Sequence, residues 1–100
     1  MSAQLTATHG CIRIQGDMTV YSAAELKPAL LNALPVASQA DRLDLSAVGD
    51  FDCAGLQLLL ASLSRARSNG APLRIVAVST SVREVLELCQ RADLLAELAP

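Results

Sequence analysis

The sequence predicts an α/β fold, with a mixed sheet of four or five strands and helices packed mainly on one face. Short segments in which apolar and polar residues alternate predict strands, and longer segments with apolar residues at i, i+3, i+4 and i+7 predict helices. These patterns follow one another as β-β-α-β-α-β-α-α, an order that right-handed β-α-β crossovers convert into parallel strands. One hundred residues suit a single domain spanning 1–100 with a modest core.

The chain begins with a predicted hairpin over residues 5–15. Apolar and polar residues alternate on both sides of His9-Gly10, and Gly10 readily takes the positive φ that a tight hairpin turn needs. His9, the only histidine, is expected to be a solvated turn residue. Residues 16–19 are then expected to leave the sheet.

The first helix is predicted over residues 21–34. Ser22 and Glu25 have the spacing of a capping box, in which the two side chains satisfy free amides at the helix start. Pro35 is expected to limit the helix, because proline lacks the amide hydrogen that a continuing helix requires. Residues 36–41 are expected to form a loop.

The central stretch predicts a strand, a loop and a second helix. Residues 43–45 read as a short strand that leads into a loop containing Asp50 and Asp52. Asp52 is expected to cap the helix by accepting hydrogen bonds from the amides of Ala54 and Gly55. Glycine in a first helical turn costs about 1 kcal/mol relative to alanine, so we expect something to approach the backbone there. The predicted buried face is formed by Leu56, Leu59, Leu60 and Leu63.

The last third predicts a strand and two helices. Residues 73–78 form a nearly continuous apolar run, which favours a strand buried on both faces. Ser81 and Glu84 repeat the capping-box spacing and predict the start of a helix. Its inward residues are expected to include Cys89, and a final short helix is expected around Leu94, Leu95 and Leu98.

Composition excludes several classes of function. Apolar residues make up 52% of the chain and charged residues 18%, with a net charge of −2. There is no basic run and there are only two aromatic residues, whereas nucleic-acid binding needs a Lys/Arg stripe, often with stacking aromatics. No apolar run approaches the roughly 20 residues that span a bilayer, and the N-terminus lacks the pattern of a signal peptide. We therefore expect a cytoplasmic protein that binds no nucleic acid and does not insert into a membrane.

The sequence carries no recognisable catalytic or metal-binding motif. Cys11, Cys53 and Cys89 match no zinc spacing, and they are expected to be small, core-compatible thiols. A reactive Cys53 would be favoured by the helix start but opposed by the negative charges of Asp50 and Asp52. No nucleophile–histidine arrangement, phosphate-binding loop or dinucleotide fingerprint occurs. We expect a protein that is not an enzyme and has no metal or cofactor.

The same central stretch resembles the signature loop of STAS domains, the family of anti-sigma-factor antagonists. A strand, then D-L-S, then D-C-A-G opening a Leu-rich helix carries the resemblance, together with GDMTVYSAAELK and LRIVAVS. It implies the α/β STAS (SpoIIAA-like) fold. In many members a serine or threonine directly before the glycine accepts phosphate from a partner kinase. The residue at that position here is Ala54, which cannot be phosphorylated.

The resemblance also implies a function. It suggests a regulatory module that binds a cytoplasmic partner, such as an anti-sigma kinase-like protein or a chemotaxis component, and the chain is similar to small stand-alone STAS proteins of chemotaxis operons. Leu58 and Ala61 are expected to reach solvent, where an apolar side chain could contact the partner. The expected contact residues are Thr19, Tyr21, Asp50, Asp52, Cys53, Ala54, Gly55, Gln57 and Leu58. A STAS subunit of an ABC-type phospholipid transporter and a ligand- or nucleotide-sensing domain remain alternatives, and homodimerisation stays open.

Overall fold

The elements occur in the predicted order. The computed structural model describes residues 4–8, 10–36 and 41–95. The strands are β1 (Gln4–Thr8), β2 (Cys11–Met18), β3 (Arg42–Phe51) and β4 (Arg74–Val78). The helices are α1 (Ala23–Val36), α2 (Cys53–Ser68) and α3 (Thr80–Leu88), followed by one 3₁₀ turn at Ala92–Leu95.

The sheet has four strands in the order β1-β2-β3-β4. β1 and β2 are antiparallel, and Gly10 between them has a φ of 77°, as the hairpin prediction requires. β2, β3 and β4 are parallel to one another. Because both crossovers advance in the same direction along the sheet, right-handed connections place α1 and α2 on the same face. The predicted α/β architecture is confirmed.

The core lies between this face of the sheet and the helices. Alternate residues of the two central strands, such as Ile12 and Ile14 in β2 and Leu43 and Leu45 in β3, are fully buried. Their neighbours in the sequence point to the opposite face, as the two-residue period of a strand requires. The helices contribute to the same cluster through Leu26, Leu30, Leu56, Leu58, Leu59, Val82 and Leu86.

The two central strands are longer than predicted. Residues 16–18 stay in β2 instead of leaving the sheet, and residues 46–51 continue β3 instead of forming a loop. Met18 and Phe51 are buried register partners at the far end of the pair, so core packing continues to that point. Register shifts between the strands accommodate the extra residues of β3. Polar and glycine residues in these two segments interrupt the apolar–polar alternation, so the sequence pattern does not predict the longer strands.

The start of α1 differs from the capping-box prediction. The helix begins at Ala23. The Ser22 hydroxyl donates to the Asp17 carbonyl oxygen at 2.6 Å and accepts from the Thr19 amide at 3.0 Å, so it closes the preceding turn. At the other end the helix continues to Val36. Proline is compatible with that turn because the φ its ring imposes, about −65°, is itself helical.

The third helix and the strand before it also depart from expectation. α3 is capped by Ser79, whose side chain accepts from the Val82 amide at 3.3 Å, two residues before the predicted cap. Cys89 at its end is exposed, so the prediction that it faces inward is wrong. β4 is an edge strand in which only Ile75 is fully buried, because none of the described strands flanks it on the outer side. The prediction of burial on both faces is wrong.

Some sequence predictions lie outside the described residues. These are the solvation of His9, the part of the predicted loop at 37–40, and the position of Leu98. Within the described ranges, no helix combines the length and the apolar character that crossing a bilayer requires.

Candidate functional site

Two aspartates join the far ends of β2 and β3 in a reciprocal arrangement. The Asp17 side chain, on β2, accepts from the Asp50 amide at 2.9 Å. The Asp52 side chain, just after β3, accepts from the Val20 amide at 3.0 Å, on the segment that follows β2. Each side chain therefore binds the backbone of the other segment. The loop before α1 and the start of α2 are held together at this edge of the sheet.

Asp52 caps α2 as predicted. One carboxylate oxygen accepts from the Gly55 amide at 3.1 Å, and the other is the oxygen that accepts from Val20. Partial burial acts to raise the pKa of Asp52, but hydrogen bonds from these backbone amides outweigh it and hold the pKa below its usual value. The carboxylate is therefore ionised at neutral pH and committed to backbone donors, which leaves it poorly suited to proton transfer.

Gly55 is required by the close approach of another part of the chain. A Cβ at this position would lie 2.2 Å from the Met18 carbonyl oxygen and 3.0 Å from the Phe51 ring. The expected approach to the backbone is therefore made by the end of β2, and Gly55 is buried. This contact allows the first turn of α2 to sit directly against the sheet.

The surface around these bonds carries exposed apolar groups. Tyr21 is 93% exposed and Val20 is 62% exposed, in the turn between β2 and α1. The half-buried Thr19 supports this turn, because its hydroxyl accepts from the Tyr21 amide at 3.3 Å. Two adjacent side chains that both project into solvent form a small exposed patch, the kind of surface that protein contacts use. We call the following set the loop–helix surface: Val20, Tyr21, Asp50, Cys53, Ala54 and Gln57.

The exposure predicted for Leu58 is wrong. Leu58 is 5% exposed and belongs to the core cluster. α2 contacts β3, α1 and α3, so its buried stripe is wider than the four leucines that the period identifies. Ala61 is exposed, as expected. Leu58 therefore supports the surface from below.

An open depression of about 420 Å³ lies between α1 and α2 beside this surface. Most of its lining is apolar, and Lys27 is the one cation among the residues that line it. Ala54, in the first turn of α2, contributes its methyl group to the wall. The residues that line the depression are Ala23, Lys27, Ala54, Gln57, Leu58 and Ala61.

Sequence reasoning missed four residues of this region: Asp17, Val20, Ala23 and Lys27. Asp17 could have been found from the repeated Gly-Asp pair, at residues 16–17 and 49–50, each of which directly precedes the last residue of a strand. The adjacent apolar pair Val20-Tyr21 in a turn was a second signal. The sequence contains no signal for Ala23 and Lys27, because their position in the lining of the depression depends on how α1 packs against α2.

The cysteines differ from the prediction of core-compatible thiols. All three are free; Cys53 and Cys89 are exposed and Cys11 is half-buried. None of the three cysteines is therefore a core residue. Cys53, at the first position of α2, lies on the loop–helix surface. In the part of the chain that the structure describes, no three His, Cys, Asp or Glu side chains are grouped to hold a metal ion.

Comparison with known proteins places this geometry in a family. Residues 1–96 match the family model described as "Mlab, STAS domain". An anti-sigma factor antagonist from Mycobacterium paratuberculosis superposes with a TM-score of 0.72 at 22% identity, covering 98% of this chain and 84% of that one. The unphosphorylated form of the anti-sigma factor antagonist SpoIIAA superposes with a TM-score of 0.69 at 14% identity, covering 97% and 85% respectively. At these identities the structures establish the shared fold, and the family match over nearly the whole length shows that the chain belongs to the STAS domain family.

Proposed function

We propose that this protein is a non-enzymatic regulatory module that binds a cytoplasmic protein partner through the loop–helix surface. The observation that carries the proposal is the exposed pair Val20-Tyr21, tied to the start of α2 by the Val20–Asp52 hydrogen bond. Fixing the backbone of the turn that carries an exposed aromatic side chain reduces the entropy lost on binding. Tyrosine is also among the residues that most often dominate interface energetics.

The chemistry of the surface suits a partner with an apolar contact group. The depression next to Ala54 is largely apolar, and its rim carries the amide of Gln57 and the ammonium of Lys27. A modest apolar contact surrounded by polar groups is the usual composition of a non-obligate interface. Both structural relatives are described as anti-sigma factor antagonists, which supports a protein as the ligand.

The absence of a hydroxyl at position 54 sets the proposed mode of regulation. Phosphate at a helix start adds nearly two negative charges and changes the surface offered to a partner. Ala54 cannot undergo this change, so the module is constitutively competent to bind or is regulated through its partner. A subunit of an ABC-type phospholipid transporter, the second candidate, is favoured by the same observation, since such STAS subunits also lack the acceptor residue.

Co-purification from the native host distinguishes the two candidates. Recovery of a soluble kinase-like or chemotaxis protein supports the signalling module, whereas recovery of an ATPase with a permease supports the transporter subunit. The partner recovered is then titrated with variants of the loop–helix surface.

Tyr21→Ala and Ala54→Glu are expected to weaken partner binding by about 1–3 kcal/mol each, through loss of an aromatic anchor and burial of an unpaired charge. Ala54→Ser should bind like the wild type, because serine is small and acceptable near a helix start. Leu88→Ala is the matched control, since Leu88 is 82% exposed but lies on α3. Equal affinities for all four variants would show that the partner binds elsewhere.

A further inference from the structure

The face of the sheet that points away from the core carries a second chemically distinct surface. Three of its four strands are parallel, and parallel sheets are generally covered on both faces. The described helices share one core cluster on the other side. We call the following residues, which alternate with the buried ones, the outer sheet face: Gln4, Thr6, Arg13, Gln15, Arg42, Asp44 and Arg74.

Arginines from the three parallel strands meet on this face. Arg42 and Arg74 are register partners on β3 and β4, so their stems emerge about 4.8 Å apart. Arg13 on β2 is the register partner of Asp44. Arg42 and Arg74 carry like charges in neighbouring register positions and repel each other, so this one pair is unfavourable in the isolated protein. An anion bound across the strands would relieve that repulsion.

The acidic groups nearby compensate this charge only in part, because Asp44 is the register partner of Arg13 and Asp41 is close to Arg42. Asp41 lies 3.4 Å from the Arg42 guanidinium, in an exposed pair. The carboxylate of Asp44 accepts from the Ser46 amide at 2.8 Å. Within the described residues, the guanidinium groups of Arg13 and Arg74 have no carboxylate at ion-pair distance. Both side chains are exposed and available to a ligand.

We propose that the outer sheet face is a second docking surface, and that it binds an acidic segment of a protein partner. Guanidinium groups pair with carboxylates through two parallel hydrogen bonds, and such pairs are more directional than those of lysine. An extended or helical segment with several Glu or Asp side chains would lie across β2, β3 and β4. This surface lies on the opposite side of the sheet from α2, so the module would contact two protein segments at once.

Nucleic acid and membrane fit this face less well. Base stacking needs aromatic side chains, and the only two in the chain are Tyr21, in the turn before α1, and the buried Phe51. An anionic bilayer attracts each basic residue only weakly, and stable recognition uses clusters of about four to eight. The outer sheet face has three arginines with Asp44 among them. The exposed large apolar side chains among the described residues, Val20, Tyr21 and Leu88, lie on other surfaces.

A fluorescent octaglutamate peptide, blocked at both ends, tests the proposal when titrated into the full chain. Saturable binding is expected, together with amide shifts in β2, β3 and β4. The double variant Arg13→Gln/Arg74→Gln should bind at least tenfold more weakly. The matched control is Arg67→Gln/Arg83→Gln, which removes the same charge from exposed positions on α2 and α3 and should bind like the wild type. Melting curves should show that both double variants fold.

Two results would overturn the proposal. Equal weakening in both double variants would mean that the peptide senses only net charge and has no site on the sheet. Capture by phosphatidylserine vesicles that depends on Arg13 and Arg74, without saturable peptide binding, would assign the face to a membrane. Neither result bears on the loop–helix surface, because none of the substituted residues belongs to it.

Discussion

At the scale of single residues, Asp52 connects two loops that are distant in the sequence. Its two carboxylate oxygens bind the amides of Val20 and Gly55, so one side chain caps α2 and holds the turn that presents Tyr21. Loss of a helix cap alone costs about 0.5–2 kcal/mol. Loss of the Asp52 carboxylate should weaken partner binding by more than it lowers the free energy of unfolding, because the position of the exposed turn also depends on the hydrogen bond between Val20 and Asp52.

Asp52→Ala is therefore expected to lower the free energy of unfolding by about 1–2 kcal/mol, measured by urea denaturation. Asp50→Ala is the control, because Asp50 is an exposed carboxylate two residues away whose side chain makes no hydrogen bond within the described residues. It should change stability by less than about 0.5 kcal/mol. Similar losses in both variants would show that local charge, and not the cap, is responsible.

Gly55 is expected to tolerate substitution poorly. Alanine favours a helix by about 1 kcal/mol relative to glycine, so propensity alone predicts that Gly55→Ala is stabilising. The contact with the Met18 carbonyl oxygen opposes this, because backbone cannot move aside as a side chain can. We expect Gly55→Ala to lower the free energy of unfolding by about 1–3 kcal/mol.

Gly49→Ala is the informative comparison for Gly55→Ala. The added methyl group would meet the carboxylate of Asp17 at 2.6 Å, which is the end of a side chain. That carboxylate can shift, at the expense of its bond to the Asp50 amide. A smaller loss of stability is therefore expected at Gly49, measured by the same denaturation series. A more stable Gly55→Ala variant would contradict the close approach of β2.

At the scale of elements, α2 shows how packing widens a buried helix face. Gln57 and Leu58 are neighbours in the sequence, but one is exposed and the other is 5% exposed. Leu58→Ala should lower the free energy of unfolding by about 2–5 kcal/mol, because it leaves a cavity between packed elements. Gln57→Ala, the matched control, should change it by less than about 0.5 kcal/mol.

Leu58→Asp is a stronger test of the burial of Leu58. A buried unpaired carboxylate is strongly unfavourable, so this variant should lose its cooperative thermal transition. The opposite behaviour follows from the sequence-based expectation, in which Leu58→Asp removes partner binding and leaves the fold intact. A normal melting curve for Leu58→Asp would show that Leu58 lies on the surface and would contradict its burial. Because Leu58 is buried, partner binding is tested with variants of Tyr21 and Ala54 instead.

At the scale of the whole molecule, two aspartates make stability depend on acid pH. Partial burial acts to raise the pKa of Asp44, but its hydrogen bonds with Ser46 and the nearby charge of Arg13 outweigh it, so this pKa is lowered as that of Asp52 is. The unfolded value is about 3.9. The unfolded chain therefore binds more protons near that pH, and stability falls as the pH decreases through the lowered pKa values of the folded state.

The double variant Asp44→Asn/Asp52→Asn should be less stable than the wild type at pH 7, and should lose less further stability between about pH 5 and pH 3. Urea denaturation at several pH values measures both effects. Asp50→Asn is the control at pH 7, where it should change stability by less than about 0.5 kcal/mol, because the Asp50 carboxylate makes no hydrogen bond within the described residues. A double variant with the wild-type slope would show that other groups control the acid transition.

The sequence by itself determined the features that depend on neighbours along the chain. The order of strands and helices follows from short-range periodicity, and the cap of α2 follows from Asp52 and Gly55, which are three residues apart. The turn at Gly10 is similarly local. The inability of Ala54 to be phosphorylated is also a property of the sequence alone, because a methyl group cannot accept phosphate in any fold.

Only the tertiary structure decided which side chains are available for contact. Leu58 is buried because α2 packs against α1 and α3 as well as the sheet. Gly55 is required because Met18, 37 positions earlier in the sequence, places a carbonyl oxygen against it. Val20 belongs to the candidate site because Asp52 binds its amide. Local patterns carry no information on such pairs, since they form only when separate elements are packed together, and the loop–helix surface consists of what that packing leaves exposed.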